Sequence, residues 1–408
     1  MQRRHLLRSL AAAPLAGVAG VSGRLFAASA AAGSKLLVVF LRGGYDGANL
    51  LVPYASPFYY EARPRIAVAR PGAINGASML DARWGLHPAL NDSVLPMYKR
   101  GEVAFLPFAG TDDLSRSHFE TQDSIELGQA SDRRRNYDSG FLNRLAGVLG
   151  ASAAAGRAPQ TIAFTNQLPV SLRGSAPAVN MALAGNARAG INAQQSEVIQ
   201  AMYKNNALER SVAEGFEVRD QVQRAAQEEM DAASRNAMTA QGFEGIARRM
   251  ARLMRERNDL AFVDVGGWDT HVGEGAGTGY LANRLDQLGR GLAGFAEELG
   301  APTWRHTVVV VLSEFGRTFR ENGNGGTDHG HGTTYWLLGG GLAATAGGHV
   351  IGEQAGISQP ALFQGRDFPV LNEYRSVFGG LFQRLYGLST GQVRGVFDGV
   401  APKDLHIV

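Results

Sequence analysis

The chain has 408 residues, enough to bury one large core or two modest ones, and its 45% apolar and 19% charged content excludes a disordered polymer. Its net charge of +3 is concentrated at the start: residues 1–30 hold Arg3, Arg4, Arg8 and Arg24 and no acid, so the remainder stands at −1 and offers no basic surface to a nucleic acid. There is no cysteine, so disulfides and thiol chemistry are excluded, and any metal site must use imidazole, carboxylate and hydroxyl groups.

The first segment reads Gln2-Arg3-Arg4-His5-Leu6-Leu7-Arg8 and leads into an apolar, Ala- and Gly-rich stretch from Leu10 to Val21. Ala27-Ala28-Ser29-Ala30 then supplies the small residues of a cleavage site. Paired arginines followed by Leu-Leu and a further base form the twin-arginine export pattern. The expectation is a signal peptide over residues 1–30, handled by the twin-arginine translocase, with the folded chain delivered to the periplasm or secreted. Beyond residue 30 no apolar run approaches the ~18 residues a membrane span needs.

Lys35–Leu41 (KLLVVFL) is a continuous apolar run, the mark of a strand buried on both faces, and it ends in Arg42-Gly43-Gly44-Tyr45-Asp46. Val103–Phe108 predicts a second strand, and a helix is expected from Ser117 to Leu127. Thr161–Phe164 predicts a third strand. Residues 192–257 read as helical, a surface insert or cap within one domain spanning residues 31–408. Leu260–Val265 predicts a strand that runs into Gly266-Gly267-Trp268-Asp269-Thr270-His271, and Gly279–Leu299 an amphipathic helix. Thr307–Leu312 (TVVVVL) is the clearest buried strand, followed by Ser313-Glu314-Phe315-Gly316-Arg317. Tyr335–Leu338 and His349–Gly352 are expected to add strands, and Tyr374–Tyr386 a closing helix. Apolar strands alternating with helices predict an α/β fold with a mostly parallel central sheet and helices on both faces. In such sheets ligands sit outside the carboxyl ends of the strands, where these polar motifs begin.

Three strands thus end in carboxylates, Asp46, Asp269 and Glu314. Asp269 precedes His271, and a glycine-rich loop carries Asp328-His329-Gly330-His331. Carboxylates combined with imidazoles suit Zn²⁺, Mn²⁺ or Fe, and carboxylates alone suit Ca²⁺ or Mg²⁺. A single Asp or Ser at such a place is more often a cap than a ligand; the two His in a glycine loop argue for a ligand. Ser117, at an expected helix start, is a candidate nucleophile, with Thr111 in reserve.

The motifs LRGGYDGANLLVPY (Leu41–Tyr54), GLHPAL (Gly85–Leu90), SRSHFETQD (Ser115–Asp123), GGWDTH (Gly266–His271), LSEFGRT (Leu312–Thr318) and GTDHGHGT (Gly326–Thr333) occur in order. On them the chain resembles the bacterial domain-of-unknown-function family numbered 1501, placed by similarity in the alkaline-phosphatase-like (sulfatase) superfamily. That resemblance implies an alkaline-phosphatase-like fold with one or two divalent metals (Zn, Mn, Ca or Mg). The implied ligands come from Asp46, Asp269, His271, Glu314, Asp328, His329 and His331, with Ser117 as nucleophile and Arg42 or Arg317 holding the anion. It implies an exported hydrolase of phosphate or sulfate esters, acting on a small molecule or a polysaccharide. Two departures count against the superfamily's usual chemistry. Glu314-Phe315 stands where it has Asp-His or Asp-Asn, and no cysteine is present to become formylglycine. The rival expectation is a non-catalytic envelope protein that keeps the fold and binds a partner.

Overall fold

The computed structural model describes residues 33–132, 134–152, 158–183, 231 and 234–408. The signal peptide expected over 1–30 and most of the helical segment expected over 192–257 lie outside them. The strands are β1 Lys35–Leu41, β2 Leu51–Val52, β3 Ser78–Met79, β4 Gly85–Leu86, β5 Val103–Gly110, β6 Thr161–Ala163, β7 Ala178–Asn180, β8 Met238–Thr239, β9 Leu260–Gly266, β10 Thr307–Ser313, β11 Thr333–Leu338 and β12 Asn372–Glu373. The helices are α1 Gly47–Leu50, α2 Pro57–Ala62, α3 Val94–Lys99, α4 His118–Leu127, α5 Phe141–Ser152, α6 Phe243–Glu256, α7 Tyr280–Trp304, α8 Tyr374–Tyr386 and α9 Thr390–Val396.

The large sheet has the order β12-β5-β11-β10-β1-β9-β6-β7, with β8 added on β9. β1 is central and parallel to both β10 and β9. β11 is antiparallel to both of its neighbours, β10 and β5, and the other pairings are parallel. The expected mostly parallel α/β sheet is what forms. β2, β4 and β3 make a separate small antiparallel sheet that the sequence reading did not anticipate. His349–Gly352 does not extend as a strand; it meets β5 in one isolated bridge between Phe105 and Val350.

The continuous apolar strands divide by the two-residue period of the pleat. Leu37, Val39 and Leu41 of β1 and Val309 and Val311 of β10 enter the core shared with α6 and α7. Leu36, Val38 and Phe40 with Val308, Val310 and Leu312 enter the opposite core, shared with α5, α8 and α9. Each such side chain contributes about 1.5–3 kcal/mol on burial, so neither face tolerates polar residues. α7 outruns its expected end at Leu299 by crossing a kink, where Gly300 takes φ 75° ahead of Pro302. Among the described residues no helix is long and apolar enough to cross a membrane.

Register places Leu41 beside both Ser313 and Val265, so β1, β9 and β10 release their chains at one edge. β5 points the same way and delivers α4. The loop between β10 and β11 folds back over this edge.

Candidate metal centre

Four side chains from three loops converge above the carboxyl ends of β1, β9 and β10. His118 opens α4, Asp269 and His271 follow β9, and His329 lies in the β10–β11 loop. The Nε2 atoms of His118 and His329 are 2.9 Å apart, and those of His271 and His329 are 3.0 Å apart. Asp269 Oδ2 lies 3.4 Å from His118 Nε2, and Asp269 Oδ1 lies 3.0 Å from His271 Nε2 and 3.4 Å from His329 Nε2. One donor atom from each of His118, Asp269 and His329 falls within a common 4.8 Å. These spacings suit donors that share one ion at about 2.0–2.1 Å.

The far side of each ring explains why the donors face inward. His118 Nδ1 is 2.7 Å from Glu314 Oε1, His329 Nδ1 is 3.0 Å from the Arg116 carbonyl, and His271 Nδ1 is 3.4 Å from Asp328 Oδ1. An oxygen acceptor at Nδ1 requires the proton there, which leaves the Nε2 lone pair free. In the neutral state, Nε2 lone pairs therefore confront one another with no proton between them. A cation resolves that arrangement. In the metal-free protein a proton does the same: although burial opposes it, the hydrogen bonds to Asp269 and Glu314 raise His118 to about 9. Burial pulls His329 below the usual imidazole value.

Asp269 is 2% exposed, and Arg317 Nη1 donates to its Oδ1 at 2.6 Å, whereas its buried Oδ2 has, among the described residues, only the His118 ring facing it, at 3.4 Å. A buried carboxylate oxygen so sparsely partnered is costly unless something binds it. Despite burial, the three histidines and Arg317 hold Asp269 far below the usual carboxylate range. The centre is not sealed: His271 and His329 are 20% and 19% exposed at the side chain, against 5% for His118. Phe315 closes the inner side, its ring 4.8 Å from the His118 ring and 5.1 Å from that of His329.

Local backbone geometry makes this approach possible. Gly43 takes φ +124°, and a Cβ there would lie 2.6 Å from Asp269 N, so no other residue fits between the β1 and β9 exits. Its N–H donates to Glu314 Oε1 at 2.9 Å. Arg116 adopts φ 51°, a left-handed conformation unusual for a residue with a side chain. It is the residue whose carbonyl receives His329.

Of the expected ligands, Asp269, His271 and His329 are brought together. Asp46 is not: Arg63 grips both its oxygens, Ala48 N–H caps onto Oδ1, and the group sits at the buried start of α1. Glu314 faces His118 Nδ1 and so stands behind a ligand; burial is outweighed by His118 and Gln122, which bring it down to about 2. Asp328 lies outside, bonded to His271 and Asn322. His331 packs on Phe363 with ring centroids 4.9 Å apart, and burial lowers it to about 4. The expected nucleophile Ser117 caps α4, its Oγ accepting from Glu120 N at 3.5 Å. The Thr111 hydroxyl turns to Asp112. Neither arginine is free to hold a substrate anion. Arg42 is consumed by Asp264, Glu126 and Gln122, and Arg317 by Asp269 and Thr327. The sequence reading missed His118 as a ligand, although its position in SRSHFETQD, one residue inside a helix start, was the available signal.

No curated protein sequence matches the chain. A solved structure described as "Crystal structure of Ps i-CgsB in complex with k-i-k-neocarrahexaose" is similar with a TM-score of 0.43 and 10% identity, covering 90% of this chain and 74% of that one. A second, "Crystal structure of Ps i-CgsB", has a TM-score of 0.41 with the same identity and coverage. Neither likeness bears on the chemistry of the centre. The family described as "Protein of unknown function (DUF1501)" matches residues 34–397, a span that holds every motif above, and the chain belongs to that family.

Proposed function

We propose that the protein is a metal-dependent hydrolase of phosphate or sulfate esters, built on one divalent ion of the zinc type. The observation that carries this reading is the inward convergence of His118 Nε2, His329 Nε2 and the buried Asp269 carboxylate. Three protein ligands with one solvent-facing side are the pattern of a catalytic rather than a structural site. What the ion supplies when bound is Lewis acidity: it polarises an ester oxygen and lowers the pKa of water. Arg317 anchors Asp269 through Oδ1 and fixes the carboxylate at the centre. His271, on the open side, is the group placed to exchange a proton with an entering ligand. Arg116 and Arg366 flank His329, with side chains 23% and 39% exposed, and share the one carboxylate of Asp367, so this pair of cations is only half balanced at the rim.

With Ser117 and Thr111 turned away, this reading requires water as the nucleophile. The test is metal analysis of the purified chain followed by a screen of phosphate and sulfate esters. The expected result is about one zinc-type ion per chain. Ester turnover should be lost with the metal and fall less than about tenfold in Ser117→Ala, a residual too high for a lost nucleophile. A metal-loaded protein that cleaves no ester would instead favour a non-catalytic binding protein. That second reading has its own support in Phe315, which fills a position from which a further ligand could have reached the centre.

We also propose that the chain works in the periplasm or outside the cell, on the strength of Arg3-Arg4 and the apolar stretch that follows. Replacing both arginines by lysine should leave uncleaved precursor in the cytoplasm. Normal export of that variant rules the route out.

A further inference from the structure

Behind Glu314 runs a chain of hydrogen bonds whose polarity is fixed at every step. Arg42 is 3% exposed and can only donate. Its Nε gives to Asp264 Oδ2 at 2.7 Å, its Nη2 to Glu126 Oε1 at 2.8 Å, and its Nη1 to Gln122 Oε1 at 2.9 Å. The Gln122 amide is 0% exposed, and its oxygen must face Arg42 because a guanidinium accepts nothing. The amide nitrogen is therefore aimed the other way, where it gives to Glu314 Oε1 at 2.9 Å. That same oxygen accepts from Gly43 N at 2.9 Å and faces His118 Nδ1 at 2.7 Å. Ser313 Oγ lies 2.9 Å from the other oxygen.

We propose that Gln122 is a positioning residue for the metal centre: held in one orientation by Arg42, it fixes the Glu314 carboxylate so that His118 keeps its Nδ1 proton outward and its Nε2 lone pair on the ion. This rests on the metal reading above and extends it to a residue two hydrogen bonds away from the ligand His118. Arg42 acquires a role different from the expected anion holder. It is the fixed donor that prevents the amide from flipping, and Asp264 and Glu126 balance its charge. A flipped amide would set its oxygen against Glu314 Oε1 and its NH₂ against a guanidinium, two repulsive contacts in a buried place.

The test uses the full chain and two probes, Zn²⁺ affinity by chelator competition and the visible absorption of the Co²⁺-loaded protein. Wild type is measured first, and failure to bind either ion defeats the metal reading itself, separately from the role of Gln122. Gln122→Met removes both halves of the amide. Gln122→Glu keeps an acceptor for Arg42 but removes the donor to Glu314, so it preserves the buried cation's partner and guards against a variant that merely fails to fold. Both should weaken Zn²⁺ binding about tenfold and alter the Co²⁺ spectrum, the scale seen when an outer partner of a ligand is lost. Combined with Glu314→Gln, neither should weaken binding further than Glu314→Gln alone, because residues acting through one another are not additive. Unchanged affinity and an unchanged Co²⁺ band in Gln122→Glu, or losses that multiply in the double variant, overturn the proposal.

Discussion

His118→Ala should lower zinc affinity by more than about a hundredfold, beyond the ~10–100-fold that follows loss of an outer partner. It removes one of three converging donors and leaves Glu314 facing an empty space. Asp269→Ala should do the same and also lower the stability of the metal-free protein, because Arg317, with no exposed side-chain surface, loses its carboxylate. Breaking such a buried pair from one side costs about 3–5 kcal/mol. His271→Ala, on the solvent side, should weaken binding less than either. Isothermal titration with Zn²⁺, alongside melts with and without the ion, separates the effects: metal stabilises only the folded state it binds, so the ion-dependent rise in Tm should vanish in His118→Ala. Full zinc affinity in that variant would remove the centre described here.

Arg63→Ala should be the most destabilising substitution at the carboxyl edge, by about 3–5 kcal/mol in denaturant unfolding. Arg63 is fully buried and binds Asp46 through both Nη atoms, with Nε on the Phe319 carbonyl at 2.7 Å. Glu274, also fully buried, bonds Asp46, Asn49, Thr270 and Thr327. Burial and then the neighbouring Asp46 push Glu274 well above the usual carboxylate range, so it holds a proton beside the ionised Asp46. Arg63 is thus the cation that pairs with the ionised Asp46, and without it that buried carboxylate is stranded. Asp46→Asn should cost less, because Glu274 can release its proton and take over the pairing with Arg63. Zinc stoichiometry should be unaffected in both variants, since Asp46 is outside the centre. A loss below about 1 kcal/mol for Arg63→Ala, the range of an exposed pair, would contradict this account.

The backbone arrangement was largely legible because it follows from short-range patterning. KLLVVFL and TVVVVL are strands because β-branched and apolar residues bury both faces, and α4 starts where Ser117 can cap it. β8 and the small β2–β4–β3 sheet escaped because two-residue strands carry no periodicity. Three of the four side chains of the centre were also legible, since Asp269, His271 and His329 sit at strand exits or in a glycine loop. The rest depends on which way side chains turn. Asp46 and Asp269 both follow buried strands, yet Asp46 meets Arg63, a partner seventeen positions on in a loop without a distinguishing motif. Glu314, expected as a ligand, stands behind His118, for which no role was expected, for a similar reason. The β10 exit sets Glu314 against α4, so the imidazole between it and the ion becomes the ligand.

The central place of β1 has a consequence for the order in which the chain can fold. Its two sheet neighbours are residues 260–266 and 307–313, so the most apolar early segment has no ladder partner until most of the polypeptide exists. Closing loops of that length before any contact rewards them is slow, and a bare apolar strand invites pairing with other chains meanwhile. Folding of this protein should therefore be a late, nearly all-at-once event with strong dependence on a holdase during synthesis. The metal donors at 118, 269 and 329 straddle the same closure, so metal capture should report a chain in which β1 has already met β9 and β10.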